Sequence, residues 1–158
     1  MIGQEVSFVF GLLEACFAGL VAVICMTIFE LPFWRKWGTE GVAEWQVNAA
    51  IVSVIIRKFT RRRVSSLMSV AMHLFHGAAL GVVFRVLLGS VGTTTPSSTV
   101  PIYAILYSGI LWIISPFLTR RLFELAGDFR MTRRGLAVSF LAHIVYGGFL
   151  GLLIPVLV

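Results

Sequence analysis

Long apolar segments alternate with polar ones along this chain, and their lengths predict helices that cross a membrane. Four mostly apolar segments lie at about residues 7–32, 64–88, 101–118 and 134–158. A helix of roughly 17–25 apolar residues spans the hydrocarbon core of a bilayer. We therefore predict an all-α, polytopic membrane protein with four transmembrane helices, in which residues 1–158 form a single transmembrane domain.

A fifth segment, at about residues 39–58, has an amphipathic pattern instead. Val42, Trp45 and Ala49 recur at helical spacing, while Glu44 interrupts another face. This pattern predicts a helix that lies in the membrane interface on the cytoplasmic side. We expect basic residues near its end to bind lipid headgroups, namely Arg57, Lys58, Arg61, Arg62 and Arg63. Its apolar second half leaves two alternatives open, a re-entrant segment and a helix docked on the bundle.

A repeat of polar and small residues marks the second and fourth spans. The first copy is Ser69, His73, Gly77 and Gly81, and the second, 70 residues later, is Ser139, His143, Gly147 and Gly151. Residues four apart form one ridge of a helix, and glycines on such a ridge let a neighbouring backbone approach. We interpret both sets as helix-packing positions. A weaker match of residues 17–20 with 107–110 extends the repeat to two hairpins in the same orientation.

Composition and charge support the membrane prediction and indicate an orientation. Hydrophobic residues make up 58% of the chain and charged residues only 13%, with a mean hydropathy of +0.95. The net charge is +6, and the basic residues cluster between the first two spans and between the last two, as cytoplasmic loops do. We therefore predict a multi-pass protein of the cell membrane with both termini on the non-cytoplasmic side. The lipid bilayer, and no nucleic acid, is its expected partner.

Three histidines carry the chemistry that most needs explaining. His73 and His143 occupy equivalent positions of the repeat, about three turns from the cytoplasmic ends of their spans. We favour neutral imidazoles that hydrogen-bond across tight helix interfaces, and we expect no bound cofactor. Two alternatives stay open: a haem held by His73 and His143, and a metal ion held by these two with His76.

Three further charges fall within the predicted spans. Glu14 and Arg85 both belong to the outward half of the bilayer, where an isolated charge is costly. We predict an intramembrane ion pair between them, with a proton or ion pathway as the alternative. Glu30 lies near the cytoplasmic interface beside Trp34 and Arg35, where we expect water or a basic partner to satisfy it.

Short motifs connect the chain to a known group of proteins. The first helix contains Met26-Thr27 and exits through Glu30-Leu31-Pro32, and the second and fourth carry His-x-x-x-Gly-x-x-x-Gly. Together these motifs resemble the YagU-like group of uncharacterised prokaryotic membrane proteins. The resemblance implies an integral membrane protein and assigns no catalytic residues.

The sequence carries no catalytic dyad spacing, phosphate-binding loop or dinucleotide-binding motif. We therefore expect a non-catalytic integral membrane subunit or scaffold, packed with itself as a homo-oligomer or with other membrane protein subunits, including those of a membrane enzyme. One alternative is a small dimeric transporter or channel. The other is a haem- or metal-binding membrane protein that uses His73 and His143.

Overall fold

Five α-helices account for most of the residues that the structure describes. The computed structural model describes residues 2–59, 66–91, 97–126 and 132–157. The helices are α1 (Ile2–Trp37), α2 (Ala43–Phe59), α3 (Ser66–Val91), α4 (Val100–Ala126) and α5 (Arg133–Leu157). Two short 3₁₀ turns, Gly38–Gly41 and Ser97–Thr99, precede α2 and α4.

Four of these helices are long and apolar enough to cross a membrane. The qualifying stretches are Val9–Trp37, Leu67–Ser90, Ser97–Leu125 and Arg133–Ile154. The prediction of an all-α protein with four spans is thus confirmed at the level of helix length and composition. This is the architecture of a multi-pass membrane protein.

Two of the spans continue past a proline in their sequence. Pro32 lies inside α1, which runs on to Trp37, and Pro116 lies inside α4, which extends eight residues beyond the predicted end at 118. A proline removes one backbone N–H and leaves one carbonyl oxygen without its helical partner. Spanning helices tolerate this loss where neighbouring groups satisfy the carbonyl.

Glycine ridges bring the helices together in two pairs, α1 with α3 and α4 with α5. A Cβ atom added at Gly81 of α3 would lie 2.5 Å from the carbonyl oxygen of Ala15 on α1. A Cβ atom added at Gly151 of α5 would lie 2.5 Å from Cα of Pro101 on α4. Only a residue without a side chain permits such approaches. Helices α1 and α5 then pack on each other and join the pairs.

The centre of the bundle is filled by small residues on α1 and α4 and larger ones on α5. Ala18, Ala22 and Ala104 are fully buried, and Tyr146 and Leu150 pack among them. Small side chains on one helix and large ones on its neighbour allow a short distance between axes without a void.

The turn after α1 folds α2 back onto the bundle. Gly38 has a φ of 63°, a left-handed conformation that glycine adopts without strain. Helix α2 packs on α3 and α4, with fewer contacts to α5, and it buries Val42 and Ala50 completely. In the structure α2 is thus docked on the bundle, which is one of the alternatives left open above.

The predicted headgroup-binding residues fall mostly beyond what the structure describes. Arg57 and Lys58 belong to the last turns of α2. Arg61, Arg62 and Arg63 lie outside the described residues.

Candidate functional site

Four helices bring two glutamates and two histidines together at the end of the bundle where α2 docks. Glu30 comes from α1, Glu44 from α2, His73 from α3 and His143 from α5. The Glu30 side chain is 0% exposed, and a contact of 3.7 Å joins its Oε2 to Nε2 of His73. A second contact, of 3.3 Å, joins Oε1 of Glu44 to Nδ1 of His143. Buried ionisable groups in such number are characteristic of functional sites in membrane proteins.

The tautomer of neutral His73 follows from its hydrogen bonds. Nδ2 of Asn48 donates to the carbonyl oxygen of Glu44 at 2.7 Å, which fixes the orientation of the amide. The same amide nitrogen lies 3.0 Å from Nδ1 of His73, so Nδ1 accepts the second amide hydrogen. The ring hydrogen must then sit on Nε2, on the side that faces Glu30.

His143 adopts the opposite arrangement. Its Nδ1 lies 2.9 Å from the carbonyl oxygen of Ser139 and 3.3 Å from Oε1 of Glu44. Both neighbours are acceptors, so Nδ1 carries a hydrogen whether the ring is neutral or charged. Nε2 is then the nitrogen that gains or loses a proton. The hydroxyl of Ser139 donates to the same Glu44 oxygen and holds the carboxylate in place.

One hydrogen placed between the Glu30 and Glu44 carboxyl groups would complete their hydrogen bonds. Oε1 of Glu30 and Oε2 of Glu44 are buried without a donor among the described residues. The carboxyls are close enough to hydrogen-bond to each other once one is protonated. A single shared proton would therefore satisfy both oxygens and remove one of two buried negative charges. Trp45 completes the shell, since its Nε1 donates to Oε2 of Glu30 at 2.9 Å.

Glu44 carries the charge of this pair at neutral pH. Burial raises the pKa of its carboxyl, but a hydrogen bond and the charge of His143 oppose that effect, together with hydrogen bonds from Glu30 and Ser139. These contacts outweigh burial and lower the pKa of Glu44 from 4.5 to about 2. The arrangement keeps an ionised carboxylate next to an imidazole that is able to exchange protons.

A cavity of about 350 Å³ lies against the cluster, between α3 and α4. His73, His76 and His143 line it, together with Glu44 and Asn48. The rest of its wall is largely apolar, and Met26, Leu80, Leu111, Ile114 and Leu118 contribute to it. A concave, mostly apolar space with a few convergent polar groups is the usual form of a small-molecule site.

The other predicted site residues are placed as follows. Ser69 is buried on α3 one turn before His73. Gly77 faces Val23 of α1, and Gly147 faces Ser108 and Ala104 of α4. The four glycines of the repeat thus all meet a neighbouring helix.

Glu14 and Arg85 are not brought together as an ion pair. Among the described residues, no contact within 4.0 Å joins their charged groups. The Arg85 guanidinium lies instead against Gly11, where an added Cβ would be 3.6 Å from Nε. The guanidinium thus lies about one turn away from Glu14, which corrects the predicted pairing.

Two residues of the cluster were assigned to the wrong environment by sequence reasoning. Glu30 was expected at a hydrated interface, yet it is fully buried. Glu44 was placed on the polar face of an interfacial helix, yet its side chain is only 10% exposed. Both errors have one cause, because the docking of α2 covers the end of α1. The signal available in the sequence was the spacing of Glu44 and Asn48, two polar residues one helical turn apart.

The metal and haem alternatives can be compared with this geometry. In the described part of the chain, no group of three or more His, Cys, Asp or Glu side chains is arranged to hold a metal ion. Both ring nitrogens of His73 face protein groups, Asn48 and Glu30. A bis-histidine haem would have to displace one of them.

Compared with known proteins, the chain matches no protein-family model, no curated protein and no solved structure.

Proposed function

We propose that the protein is a small proton-coupled transporter of the cell membrane, in which the Glu30–Glu44 pair is the proton site. The observation that carries this proposal is the buried carboxyl pair, short of one hydrogen, beside a cavity inside a membrane bundle. Chains of Asp, Glu and His within membrane spans serve as proton relays in pumps and transporters. This favours the transporter alternative over a purely structural role.

The contacts define a sequence of proton positions. The proton shared by the carboxyls moves between Oε1 of Glu30 and Oε2 of Glu44. A second proton, taken from the cavity, binds Nε2 of His143 and charges the ring beside the ionised Glu44. The cluster thus keeps one proton on its carboxyls and exchanges another at the imidazole, whose charge the Glu44 carboxylate balances.

The orientation and the repeat are part of the same proposal. The basic residues near the cluster, including Arg35, Lys36 and Arg134, support a cytoplasmic position for this end, with both termini outside. The matching glycine contacts of the two helix pairs support two parallel hairpins. Within this arrangement the end of α2 would reach the lipid headgroups. The resemblance to YagU-like proteins stays a prediction.

Proton movement into vesicles tests the proposal. The purified protein, reconstituted in liposomes with a pH-sensitive dye inside, should acidify the lumen under a pH gradient faster than protein-free vesicles. Glu44→Gln and Glu30→Gln should abolish the difference. Glu14→Gln is the matched control, because it removes a carboxyl from the same bundle outside the cluster. Equal rates for Glu44→Gln and the unchanged protein would contradict the proposal.

A membrane subunit or scaffold is the second candidate, and the exposure of α4 favours it. Only 17% of the spanning window of α4 is buried inside the protein, against 39%, 28% and 44% for α1, α3 and α5. A second copy or another subunit would therefore be expected to pack on α4. Cross-linking from cysteines introduced on its outer face, at Leu106 or Ile113, tests this. Cross-linked oligomers without any proton movement would favour the scaffold.

A further inference from the structure

The donors of Asn48, Tyr146 and Thr119 in the cavity wall are already hydrogen-bonded within the protein. Both amide hydrogens of Asn48 are used, one by the Glu44 carbonyl and one by His73. The hydroxyl of Tyr146 donates to the carbonyl oxygen of Gly77 at 2.7 Å. The hydroxyl of Thr119, in the same wall, donates to the carbonyl oxygen of Ser115 at 2.7 Å. A ligand therefore meets few fixed donors on these walls.

The charges around the cavity also disfavour an anionic ligand. The residues that line the cavity include one glutamate and three histidines, and none of the described lining residues is Lys or Arg. The Glu30 carboxyl lies behind them, next to His73. An anionic ligand would find a positive partner only in a charged imidazole, and it would face the ionised Glu44 carboxylate in the same wall. A neutral or cationic nitrogen avoids that repulsion.

Nε2 of His143 indicates that the ligand carries a basic nitrogen. The Nδ1 side of this ring is held by Ser139 and Glu44, so Nε2 is the position where the proton count changes. A basic nitrogen fits it in two ways, as an ammonium that donates to the neutral ring or as an amine that accepts from the charged ring. Either way the two nitrogens need one proton between them. An alcohol lacks the charge, and a carboxylate at Nε2 would be repelled by the Glu44 carboxylate beside the same ring.

We infer that the cavity binds a small apolar molecule with one basic nitrogen, an amine that shares a proton with Nε2 of His143. This inference rests on the proposed function, which it deepens by naming the class of substrate. The apolar body lies against Met26, Leu80 and Leu111, and the volume of about 350 Å³ suits a molecule of one aromatic ring. Proton and amine then compete for the same ring nitrogen, which is the exchange that a proton-coupled transporter of weak bases requires.

Calorimetric titration of the full-length protein in detergent with three matched probes tests the ligand class. Benzylamine, benzyl alcohol and benzoate share one ring and differ in the polar group. Benzylamine should bind at least about tenfold more tightly than the other two, because it alone forms a charge-assisted hydrogen bond. Equal or tighter binding of benzyl alcohol or benzoate would overturn the inference.

Two variants locate the site. His143→Asn keeps a donor near the Nδ1 position and removes the Nε2 acceptor, so benzylamine binding should weaken about tenfold. Leu111→Trp fills the cavity and should abolish binding, whereas Ile110→Trp, one residue away on the outer face, should not. If His143→Asn fails to fold, the tryptophan pair alone decides. Unchanged affinity in Leu111→Trp would place the amine elsewhere.

The pH dependence of binding gives an independent check. The titratable groups that face the cavity are Glu44, His73, His76, His143 and Tyr146, with Glu30 behind them. Two protons cannot occupy the space between the amine and Nε2, so affinity should fall as the pH falls and the ring becomes charged. Affinity that rises at low pH would contradict the shared proton.

Failure of this inference is distinguishable from failure of the proposed function. The infrared band of a protonated carboxyl, lost in Glu30→Gln and Glu44→Gln but kept in Glu14→Gln, reports the proton site without any amine. Proton movement and this band, without benzylamine binding, would overturn the ligand inference alone. Benzylamine bound in the cavity without proton movement would uphold the ligand inference and overturn the coupling.

Discussion

The α1/α3 and α4/α5 pairs use the same packing device and different chemistry. In each pair a glycine ridge meets the backbone of the partner helix, with Gly81 against Ala15 of α1 and the equivalent Gly151 against Pro101 of α4. The histidine of the first pair meets a glutamate on α1 itself, whereas the histidine of the second meets Glu44, which α2 supplies. The backbone contacts are thus similar in both pairs, but only the first pair contains its own glutamate.

The register of the packing explains where the acid is missing. Ala15, which meets Gly81, precedes Pro101, which meets the equivalent Gly151, by 86 residues, so the position on α4 that corresponds to Glu30 is Pro116. A proline at that position has no carboxyl to offer His143. Helix α2 fills the gap with Glu44, and the two acids then face each other. Within the proposed repeat, the inserted helix is what converts two separate histidine contacts into one cluster.

The largest expected effect comes from removing the supplied acid. Glu44→Leu leaves the Ser139 hydroxyl and the His143 ring without their acceptor and strands the Glu30 carboxyl. Removing one partner of a buried pair costs about 3–5 kcal/mol. Glu44→Gln should cost less than about 1 kcal/mol, since its amide accepts from Ser139 and donates to Glu30 in place of the shared proton. Unfolding in mixed micelles measures both, and equal losses would contradict the shared-proton arrangement.

Ridge substitutions test whether the two pairs are equivalent in packing. Gly81→Leu and Gly147→Leu each place a side chain against the backbone of a neighbour, with 2.5 Å from a Gly81 Cβ to Ala15 O and 2.7 Å from a Gly147 Cβ to Ala104 O. Overpacking of this kind costs on the order of 1–3 kcal/mol. Gly148→Leu is the control, because nothing lies within 4 Å of its added Cβ. A loss in only one pair would break the comparison.

Acid unfolding should single out Glu44. Its pKa in the folded protein, about 2, is below its ordinary value of 4.5, so the stability that it contributes is fully present above pH 4.5. That contribution is lost as the pH falls from 4.5 through about 2. The free energy of unfolding should therefore decline less steeply over this range in Glu44→Gln than in the unchanged protein. Identical slopes would show that Glu44 is not ionised in the folded state.

The spans and the glycine ridges were predictable because each depends on local sequence. Apolar length and four-residue spacing are read directly from the chain, and the contacts of Gly77, Gly81, Gly147 and Gly151 lie on neighbouring helices in both pairs. The cap of α5 is equally local, since Gly135 N–H donates to Thr132 Oγ1 at 3.0 Å. Such features need no knowledge of tertiary structure.

The cluster was not predictable, because it depends on where one helix docks. Glu30 and Glu44 are separated by a turn whose course is set by Gly38, and nothing local distinguishes a helix on the membrane surface from one folded into the bundle. The Glu14–Arg85 prediction failed for a similar reason. Charge complementarity gives no information on the helix rotation that places Arg85 against Gly11.

Alanine substitutions at Gly19 and Gly109 test whether α1 and α4 correspond by sequence match or by packing contacts. The match of residues 17–20 with 107–110 treats these glycines as equivalent, yet an added Cβ meets Gly77 O at 2.6 Å from Gly19 and nothing within 4 Å from Gly109. Gly19→Ala should therefore destabilise the protein by about 1 kcal/mol or more. Gly109→Ala should be neutral or stabilising, since alanine is the better helix former. Equal effects in the same unfolding assay would support the sequence register over the contact register.

The smallest effects concern the hydrogen bonds that tie α3 to the second pair. Tyr146 on α5 donates to Gly77 O at 2.7 Å, and Tyr107 on α4 donates to Leu80 O at 3.0 Å. Both carbonyls belong to α3, which otherwise packs mainly on α1 and α2. A cross-helix hydrogen bond in a membrane protein contributes about 0.6 kcal/mol, so Tyr146→Phe and Tyr107→Phe should each lose roughly that amount. The bonds come from different helices and have different acceptors, so the losses should add in the double variant. A combined loss well above the sum would mean that the two tyrosines hold α3 as a unit, and that the wall of the cavity moves when both are removed.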